Sequence, residues 1–244
     1  MIESGFEKQE FEIRLATERD VTAIRAWLRS DRGGSVFCGN WSMIEGGQAT
    51  GYLSVLCGVN DNQVVGFLLS TDSSLDIMEI RPSFRRAGLG RMLAQHGLSR
   101  IERSGQFGVL IECAPHTSIP FWKKLGFHPI EWEHDADRGN HLAFEFRRYC
   151  ELPADQRVNR VRVELLPPPV CHGCAPKEFI RHAILIEDGK LLLDGRIATF
   201  VDNGDVVVKV QVDDETISEK KAKYSRDVGV EYEKGFIRLD DVYC

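Results

Sequence analysis

The strongest constraint on the fold of this chain is a change in periodicity between residues 75 and 98. Leu75–Ile80 is an apolar run of strand length, and Pro82 stops it. After Gly88 the residues of one face recur at steps of three and four, which is the period of a helix. These residues are Leu89, Met92, Leu93, His96 and Leu98. The sequence therefore predicts a strand that feeds a helix through a turn at residues 85–90.

This turn reads Arg85-Arg86-Ala87-Gly88-Leu89-Gly90, and its composition is suited to binding a pyrophosphate. Gly88 and Gly90 remove β-carbons where an anion must approach the backbone closely. The N–H groups and the positive dipole end of the following helix point toward that anion. The side chains of Arg85, Arg86 and Arg91 add positive charge at the same end. The alternative interpretation is a glycine-containing turn flanked by solvated arginines.

Two other phosphate-binding motifs fit the sequence less well. A dinucleotide-binding fingerprint requires a third glycine at position 93, which is Leu93 here. A P-loop requires the run Gly-Lys-Ser/Thr, which the sequence lacks. Both motifs are therefore disfavoured.

The segments around the turn complete an alternation of strands and helices. A helix is predicted to begin after Thr17, another to span residues 119–125, and residues 31–51 to be mostly loop with at most a short helical piece. Asn60-Asp61-Asn62 predicts a hairpin turn. Strands are predicted at residues 11–15, 52–59, 64–69, 109–113, 128–133 and 141–147. A first domain of residues 1–149 follows from this pattern.

Residues 150–244 have the composition of a smaller, mainly β domain. Three prolines, Pro167–Pro169, precede short valine-rich runs. Residues 187–189 and 202–204 have the sequences of hairpin turns. Residues 215–224 carry good helix formers without glycine or proline, so they predict the one helix of this domain.

The two cysteines Cys171 and Cys174 have the spacing of half a zinc site. A structural zinc site usually needs a second pair, and no other pair in the chain has this spacing. No bound metal is therefore expected. The seven cysteines are odd in number, several lie in apolar runs, and no signal-like stretch opens the chain, which favours reduced thiols in a cytoplasmic protein.

The net charge of −6 and a pI of about 5.7 give the chain no overall attraction to nucleic acid or to an anionic membrane. No apolar run approaches the roughly 20 residues that cross a bilayer. The basic cluster of Lys220, Lys221, Lys223 and Arg226 lies in a domain with an acidic excess, so we expect it to be a solvated face. A cationic substrate agrees better with the charge of the protein.

Three segments resemble the GNAT superfamily of N-acyltransferases. Ile80–Gly90 is similar to the family's coenzyme A signature, which is Arg/Gln-x-x-Gly-x-Gly/Ala after a strand. Phe121–Phe127 resembles its later helix-and-turn motif, and Ile13–Thr17 followed by Asp20 resembles its opening. The resemblance covers residues 11–148 and implies an α/β (α+β) fold. In that fold the fourth and fifth strands of a mixed sheet splay apart and admit the pantetheine arm of acetyl-CoA.

The resemblance also implies acetyl-CoA as the cosubstrate and assigns its contacts. Ile80, Arg81 and Pro82 would contact the pantetheine through backbone groups. The pyrophosphate would lie on Arg85, Arg86, Ala87, Gly88, Leu89, Gly90 and Arg91. Phe121 and Lys124 are further candidates for coenzyme contacts.

Transfer of the acetyl group to an amine requires a base, because a lysine-like amine has a pKa of about 10.4 in water. Glu79 is the first candidate, since it interrupts the apolar run directly before the coenzyme segment. Glu112, in the next strand, is the second, and Asp76 is the third. The alternative is that Glu79 or Glu112 is a structural carboxylate, paired with an arginine or exposed on one face of its strand.

The other catalytic groups follow from the resemblance with one departure. A backbone N–H near Ile80 would stabilise the oxyanion. Many family members protonate the thiolate with a tyrosine, whose position is Trp122 here, and an indole cannot supply that proton. His116 or Tyr52 would replace it, or the thiolate would leave unassisted because thiols are acidic, with a pKa of about 8.5.

These observations predict an acetyl-CoA-dependent N-acetyltransferase that acts by direct attack in a ternary complex. Because the usual tyrosine is absent, a second hypothesis is a coenzyme A sensor or binding module without efficient catalysis. A third is an acyltransferase for a protein or RNA partner recruited by residues 150–244. A homodimer is compatible with all three.

Overall fold

In a computed structural model of the chain, the structure describes residues 10–30, 36–130, 140–154, 156–168, 175–186 and 189–243. The chain divides into two compact units, Met1–Ser118 and Ile119–Cys244. Among the helices of the described residues, none is both long enough and apolar enough to cross a bilayer.

The first unit alternates strands and helices as its periodicity predicts. Its elements are β1 (Phe11–Leu15), α1 (Glu18–Ser30), α2 (Trp41–Ala49), β2 (Leu53–Gly58), β3 (Val64–Ser70), β4 (Leu75–Ile80), α3 (Leu89–Arg103) and β5 (Gly108–Glu112). Strands β1 to β4 form a sheet in that order, and every neighbouring pair is antiparallel. The predicted hairpin around residues 60–62 is confirmed, since β2 and β3 pair on either side of it.

Helices cover both faces of this sheet, and each face has its own hydrophobic cluster. On one face Trp27 and Leu28 of α1 and Ile44 of α2 pack with residues such as Phe67 and Ile77. On the other face α3 packs through Leu89 and Leu93 against Leu56, Leu68 and Ile80. Strands β2 and β3 are buried along their whole length, which explains why their sequences are continuously apolar rather than alternating.

Strand β4 is the edge of this four-stranded sheet. The next strand, β5, comes within 8 Å of β4 at some Cα positions but is not a member of the sheet. The fourth and fifth strands are therefore separated along their backbones, as the sequence resemblance implies. One edge of β4 remains without a hydrogen-bonded strand among the described residues.

The prediction of mostly loop for residues 31–51 is wrong for residues 36–49. Val36–Asn40 is a 3-10 helix and Trp41–Ala49 is an α-helix. The pair Gly46-Gly47 favours a loop because glycine is a poor helix former. A β-carbon on Gly47 would lie 2.2 Å from Cδ1 of Leu69, so packing of the helix on β3 requires glycine at this position.

The second unit begins with a short helix and continues into β structure. Its elements are α4 (Ile119–Lys124), β6 (His128–Pro129), β7 (His141–Glu145), β8 (Val158–Leu166), β9 (Lys177–Leu185), β10 (Lys190–Phe200), β11 (Val207–Val212), β12 (Glu215–Lys221), β13 (Glu231–Glu233) and β14 (Phe236–Tyr243). Strands β6 and β7 pair antiparallel. The other seven form one sheet in the order β12-β11-β8-β9-β10-β14-β13.

The mainly β character of the second unit is confirmed, and its core explains the valine-rich runs. Val161, Val163 and Leu165 alternate along β8 and are buried, and Val208 and Val210 of β11 lie in the same cluster. The alternation with partly exposed residues is that of a sheet with one more deeply buried face.

Two predictions for this unit are wrong. Residues 215–221 form a strand, not a helix, and Asp213 and Asp214 both have positive φ (47° and 69°), which makes the tight turn that pairs β12 with β11. Residues 202–204 do not make a hairpin, because β10 and β11 on either side of them are not neighbours in the sheet. The hairpin at residues 187–189 is confirmed by the antiparallel pairing of β9 and β10, although residues 187 and 188 lie outside the described residues.

Candidate active site

The turn between β4 and α3 has the backbone that an anion site requires. Residues Pro82–Phe84 form a short 3-10 turn, and Arg86 and Gly88 have φ values of 67° and 81°. Gly88 is the N-cap residue of α3, and no side chain caps the helix there. A β-carbon at Gly88 would meet no atom within 4 Å, so the positive φ is what favours glycine. The first N–H groups of α3 therefore open onto an exposed turn.

The three arginines of this turn differ in their partners. Arg86 and Arg91 are exposed and form no ion pair with any described residue. Arg85 is held by β4: its Nε donates to the carbonyl oxygen of Ile80 at 2.9 Å, and its Nη2 lies 2.6 Å from Oε1 of Glu79. Two cations at the N-terminus of α3 are thus uncommitted, and the third is bonded to the strand.

The backbone of Ile80 faces away from the sheet. Arg81 donates its N–H to the carbonyl of Val65 at 2.8 Å, and Ile80 pairs with Gly66 in the register of β3 and β4. In an antiparallel ladder such a bond flanks a non-hydrogen-bonded pair, so Ile80 directs its own N–H and C=O to the other side. This is the free edge of β4. The arrangement places an N–H donor where the resemblance implies an oxyanion contact.

Glu79 lies on the face of the sheet that α1 and α2 cover. Met78 and Ile80 pack with α3 and Ile77 packs with α1 and α2, so the alternation along a strand directs Glu79 to the side of Ile77. Its side chain is only 16% exposed and forms the ion pair with Arg85. The structure thus shows the arginine pairing that is the alternative to a free base, with the second carboxylate oxygen bonded to no other side chain among the described residues.

The structure does not bring the other two carboxylates to the same point. Asp76 is exposed, and four residues of strand, about 13 Å, separate it from Ile80. Glu112 is exposed at the end of β5. Glu79 is therefore the carboxylate next to Ile80, and Glu112 belongs to the neighbouring strand.

Tyr52 and His116, the predicted replacements for the acid, lie in different places. Tyr52 precedes β2, whose register places it beside the Leu75 end of β4, away from Ile80. There its hydroxyl lies 3.4 Å from Oδ2 of Asp72, and the guanidinium of Arg100 stacks 4.6 Å from its ring. Tyr52 is thus part of a structural cluster. His116 is exposed in the 3-10 turn after β5.

In the second unit, Trp122 packs between two aromatic rings, Phe121 at 5.0 Å and Phe127 at 5.2 Å between ring centroids. It is 8% exposed, so its size serves the packing of the turn that Gly126 completes with φ of 100°. Lys124 is exposed. The coenzyme contacts of Phe121 and Lys124 remain predictions.

The sequence does not single out the side chains of Trp27 and Arg81. The guanidinium carbon of Arg81 lies 6.0 Å from the centroid of the Trp27 ring, on the same face of the sheet as Glu79. The signal is present in the sequence, because Arg81 follows Glu79 by two residues in extended backbone and Trp27 lies on the apolar stripe of α1.

Two further candidates from the sequence are the cysteine pair and the basic cluster. Cys171 and Cys174 lie outside the described residues, so their metal binding remains untested, and no group of three or more metal-ligating side chains occurs in the part that is described. The basic cluster near residue 221 is ion-paired: Lys220 with Asp227, and Lys221 and Lys223 with Asp205.

Comparison with known proteins finds one family model that matches part of the sequence. Residues 42–146 match the model of the acetyltransferase (GNAT) domain. An uncharacterized N-acetyltransferase of Bacillus licheniformis is 33% identical over 63 residues, which are 25% of this chain and 35% of that protein. The chain thus matches about a third of the length of this relative.

Two solved structures are similar at low identity. One is the GNAT family N-acetyltransferase YhbS from Escherichia coli in complex with CoA, 16% identical, with a TM-score of 0.43 over 56% of this chain and 82% of that one. The other is the PaiA N-acetyltransferase from Thermoplasma acidophilum in complex with coenzyme A, 14% identical, with a TM-score of 0.41 over 56% and 99%.

Proposed function

We propose, from the premise that residues 42–146 form a GNAT acetyltransferase domain, that this protein transfers an acetyl group from acetyl-CoA to an amine. The observation that carries the proposal is the N-terminus of α3. It is exposed, lacks a side-chain cap and is flanked by the uncommitted cations Arg86 and Arg91, beside the outward-facing backbone of Ile80.

In this proposal the pyrophosphate accepts hydrogen bonds from the N–H groups at the start of α3. Arg86 and Arg91 balance its charge, and the helix dipole adds to the attraction. The pantetheine arm follows the free edge of β4 along the backbone of Ile80, Arg81 and Pro82. The N–H of Arg81 is already bonded to Val65, so Ile80 supplies the donor on that edge.

The chemical step is a direct attack within the ternary complex. The amine nitrogen gives a proton to Glu79 and forms a bond to the acetyl carbon, and the developing oxyanion accepts a hydrogen bond from the N–H of Ile80. The carbon–sulfur bond then breaks and the thiolate takes a proton from water or from His116. Glu112 is the alternative base, because it ends the neighbouring strand.

We assign the acyltransferase to residues 1–149 and an accessory role to residues 150–244, as an appended module that shapes the acceptor site, recruits a substrate or mediates dimerisation. The alternative of a coenzyme A sensor without efficient catalysis rests on Trp122, which is packed between rings and cannot act as the acid.

Coenzyme binding is tested first, by calorimetry with acetyl-CoA. The variant Gly88→Glu adds a carboxylate where the pyrophosphate binds, and it should reduce the affinity at least about 100-fold. Gly105→Glu is the matched control. Gly105 is also exposed and has positive φ (87°), a β-carbon there would meet no atom within 4 Å, and the residue lies past the other end of α3. Equal affinity of the two variants would contradict the proposed site.

Catalysis is tested next by the release of free thiol from acetyl-CoA with polyamines, aminoglycosides, amino acids and peptides. Binding without turnover across this panel favours the sensor. Glu79→Gln should lower kcat roughly 100-fold or more if Glu79 is the base. Full turnover of this variant from pH 6 to pH 9 would assign the base elsewhere, and Glu112→Gln then tests the second candidate.

A further inference from the structure

The strand end beside the proposed acetyl site carries one acidic and one basic side chain on the same face. Glu79 and Arg81 are two residues apart, and the backbone of Arg81 is still extended (φ −53°, ψ 132°). Side chains at this spacing project to one side, with Cα atoms about 7 Å apart. The side is the one that α1 and α2 cover, as the proximity of Arg81 to Trp27 shows.

The charge of Arg81 has no counterpart in the part of the chain that the structure describes. The side chain is partly buried, yet no carboxylate of the described residues pairs with it, and it lies against the ring of Trp27 at 6.0 Å. Arg25 offers a comparison, because it stacks over Trp41 at 4.9 Å and also pairs with Glu45 at 3.8 Å. A cation that is partly removed from water without a carboxylate partner is suited to receive an anion from a ligand.

Trp27 adds a hydrogen-bond donor to this region. It is 5% exposed, packs edge-on against Phe67 with ring centroids 6.0 Å apart, and its Nε1 has no hydrogen-bond partner among the described residues. Buried donors are nearly always paired in proteins, with the protein, with water or with a ligand. An indole N–H only donates, so the group that would pair with it carries an acceptor such as a carboxylate oxygen.

We infer that the acceptor is an amine that carries a carboxylate, such as a free amino acid or a short peptide, with its ammonium group on Glu79 and its carboxylate on Arg81. This inference rests on the proposed function and adds the class of acceptor to it. The opposite charges of Glu79 and Arg81 orient such a zwitterion in one direction only, with the amine at the carboxylate next to Ile80.

The acceptor's carboxylate takes no part in the bond changes of this step. The ammonium gives one proton to Glu79 and becomes the neutral nucleophile, and the nitrogen–carbon bond forms as the carbon–sulfur bond breaks. The nitrogen then releases its second proton to solvent, and the thiolate takes a proton from water or from His116. The pairing with Arg81 only positions the amine. Arg81 is therefore a specificity-determining residue, whose loss should slow the reaction of carboxylated amines more than that of other amines.

The test measures kcat/KM by thiol release for matched pairs, each an α-amino acid and the amino alcohol in which hydroxymethyl replaces the carboxylate. Alanine with alaninol, leucine with leucinol and phenylalanine with phenylalaninol form the first set, together with dipeptides and their C-terminal amides. The wild type should prefer the carboxylated member of a pair roughly 10-fold or more. Arg81→Gln should bring that ratio to about 1, mainly through KM, whereas Arg25→Gln should leave it unchanged.

Three results overturn the inference. They are a wild-type ratio at or below 1 in every pair, an equal loss for both members of a pair in Arg81→Gln, and acetylation of polyamines or other amines without any carboxylated one. In the last case acetyl transfer itself is intact, so only the acceptor class is wrong. Failure of the proposed function is distinct, because it gives no turnover with any amine or no binding of acetyl-CoA.

Discussion

The N-termini of helices α1 and α3 lie in the same unit and are built in opposite ways. At α1, Thr17 and Asp20 form a reciprocal cap: the N–H of Asp20 is 3.4 Å from Oγ1 of Thr17, and the N–H of Thr17 donates to Oδ2 of Asp20 at 2.7 Å. Arg14 completes the cap through two bonds to the same carboxylate, of 2.7 and 3.0 Å. At α3 the cap is Gly88, and no side chain closes the helix.

The two helix N-termini occupy equivalent positions, but one is paired within the protein and the other is left open. A helix start has four N–H groups without intrahelical partners, and a protein either pairs them internally or leaves them to water or a ligand. At α1 the buried carboxylate of Asp20 supplies the negative charge and Arg14 supplies the positive charge. At α3 Arg86 and Arg91 supply positive charge only, and we propose that acetyl-CoA supplies the negative charge.

The largest expected effect is at the uncapped N-terminus of α3. The double variant Arg86→Glu/Arg91→Glu should weaken the binding of acetyl-CoA at least about 100-fold, since each contact between a cation and a phosphate contributes about 1.5–3 kcal/mol. Both side chains are exposed and have no ion-pair partner among the described residues, so the free energy of unfolding should change by no more than about 0.5 kcal/mol each. Calorimetry and urea denaturation measure the two quantities. Unchanged affinity would remove the distinction between the two helix ends.

The capped N-terminus of α1 should show the reverse, which is a loss of stability without a loss of affinity for acetyl-CoA. Asp20→Ala removes a carboxylate that is 6% exposed and takes the shared partner from Arg14 and from the N–H of Thr17. We expect a loss of about 2–3 kcal/mol in the free energy of unfolding. The folded variant should bind acetyl-CoA as the wild type does. A selective loss of affinity in the folded protein would mean that the α1 cap also serves the ligand.

The carboxylate of Asp20 also makes the free energy of unfolding depend on pH. Burial alone would raise the pKa of Asp20, but the hydrogen bonds from Arg14 and Thr17 outweigh it and lower the pKa from 3.8 to about 2. A lowered pKa stabilises the folded protein above pH 3.8, and this contribution, about 2 kcal/mol, is lost as the pH falls to 2. Asp20→Asn should lack this part of the slope in urea denaturation between pH 5 and pH 2. Parallel slopes would show that other carboxylates carry it.

The sequence indicates both helix ends but not what fills them. Thr17 marks a helix start and Gly88 an open turn, because caps and glycine turns depend on local backbone chemistry. The pairing of Glu79 with Arg85 is one of two alternatives that the sequence leaves open. It depends on the 3-10 turn of Pro82–Phe84, which lies between the two residues and returns Arg85 to its own strand, and the geometry of this turn is not evident from sequence.

The wrong predictions of secondary structure have similar causes. The helix at 41–49 does not emerge from the sequence because Gly47 is there for contact with Leu69, which only the tertiary structure reveals. The helix predicted at 215–224 follows from the propensity of Glu and Lys residues, and pairing with β11 overrides that propensity. At residues 202–204 the turn chemistry is local, whereas the pairing of the strands around it is not.

A smaller effect is expected from Thr17→Ala. This change removes the hydroxyl that donates to Oδ2 of Asp20 at 2.7 Å and faces the N–H of Asp20, but it keeps the bond from the backbone N–H of residue 17 to the carboxylate. Loss of an N-cap hydroxyl costs about 1 kcal/mol. Urea denaturation of Thr17→Ala and Thr17→Ser should give a loss for alanine and near wild-type stability for serine. Equal losses would show that the methyl group of Thr17, rather than its hydroxyl, matters.

The smallest effect concerns His96, further along α3. Burial lowers its pKa below 6.5, as do the nearby cations Arg103 and Arg100, and its Nε2 lies 3.3 Å from Oγ of Ser54. A lowered pKa means that the neutral ring stabilises the fold above pH 6.5 and that this contribution is lost as the pH falls through the folded value. His128 has the opposite shift, because its hydrogen bond to Glu145 raises its pKa, so the wild type alone shows only the sum.

The variant His96→Gln separates the two histidines, since glutamine can still bond to Ser54 but does not titrate. Between pH 7.5 and pH 5 the wild type should lose more free energy of unfolding than His96→Gln does, and the gap should widen as the pH falls. An equal slope in both proteins would contradict the assignment. If the gap in stability appears while both proteins bind acetyl-CoA equally well, a positive charge on His96 destabilises the interior of α3 without affecting its N-terminus.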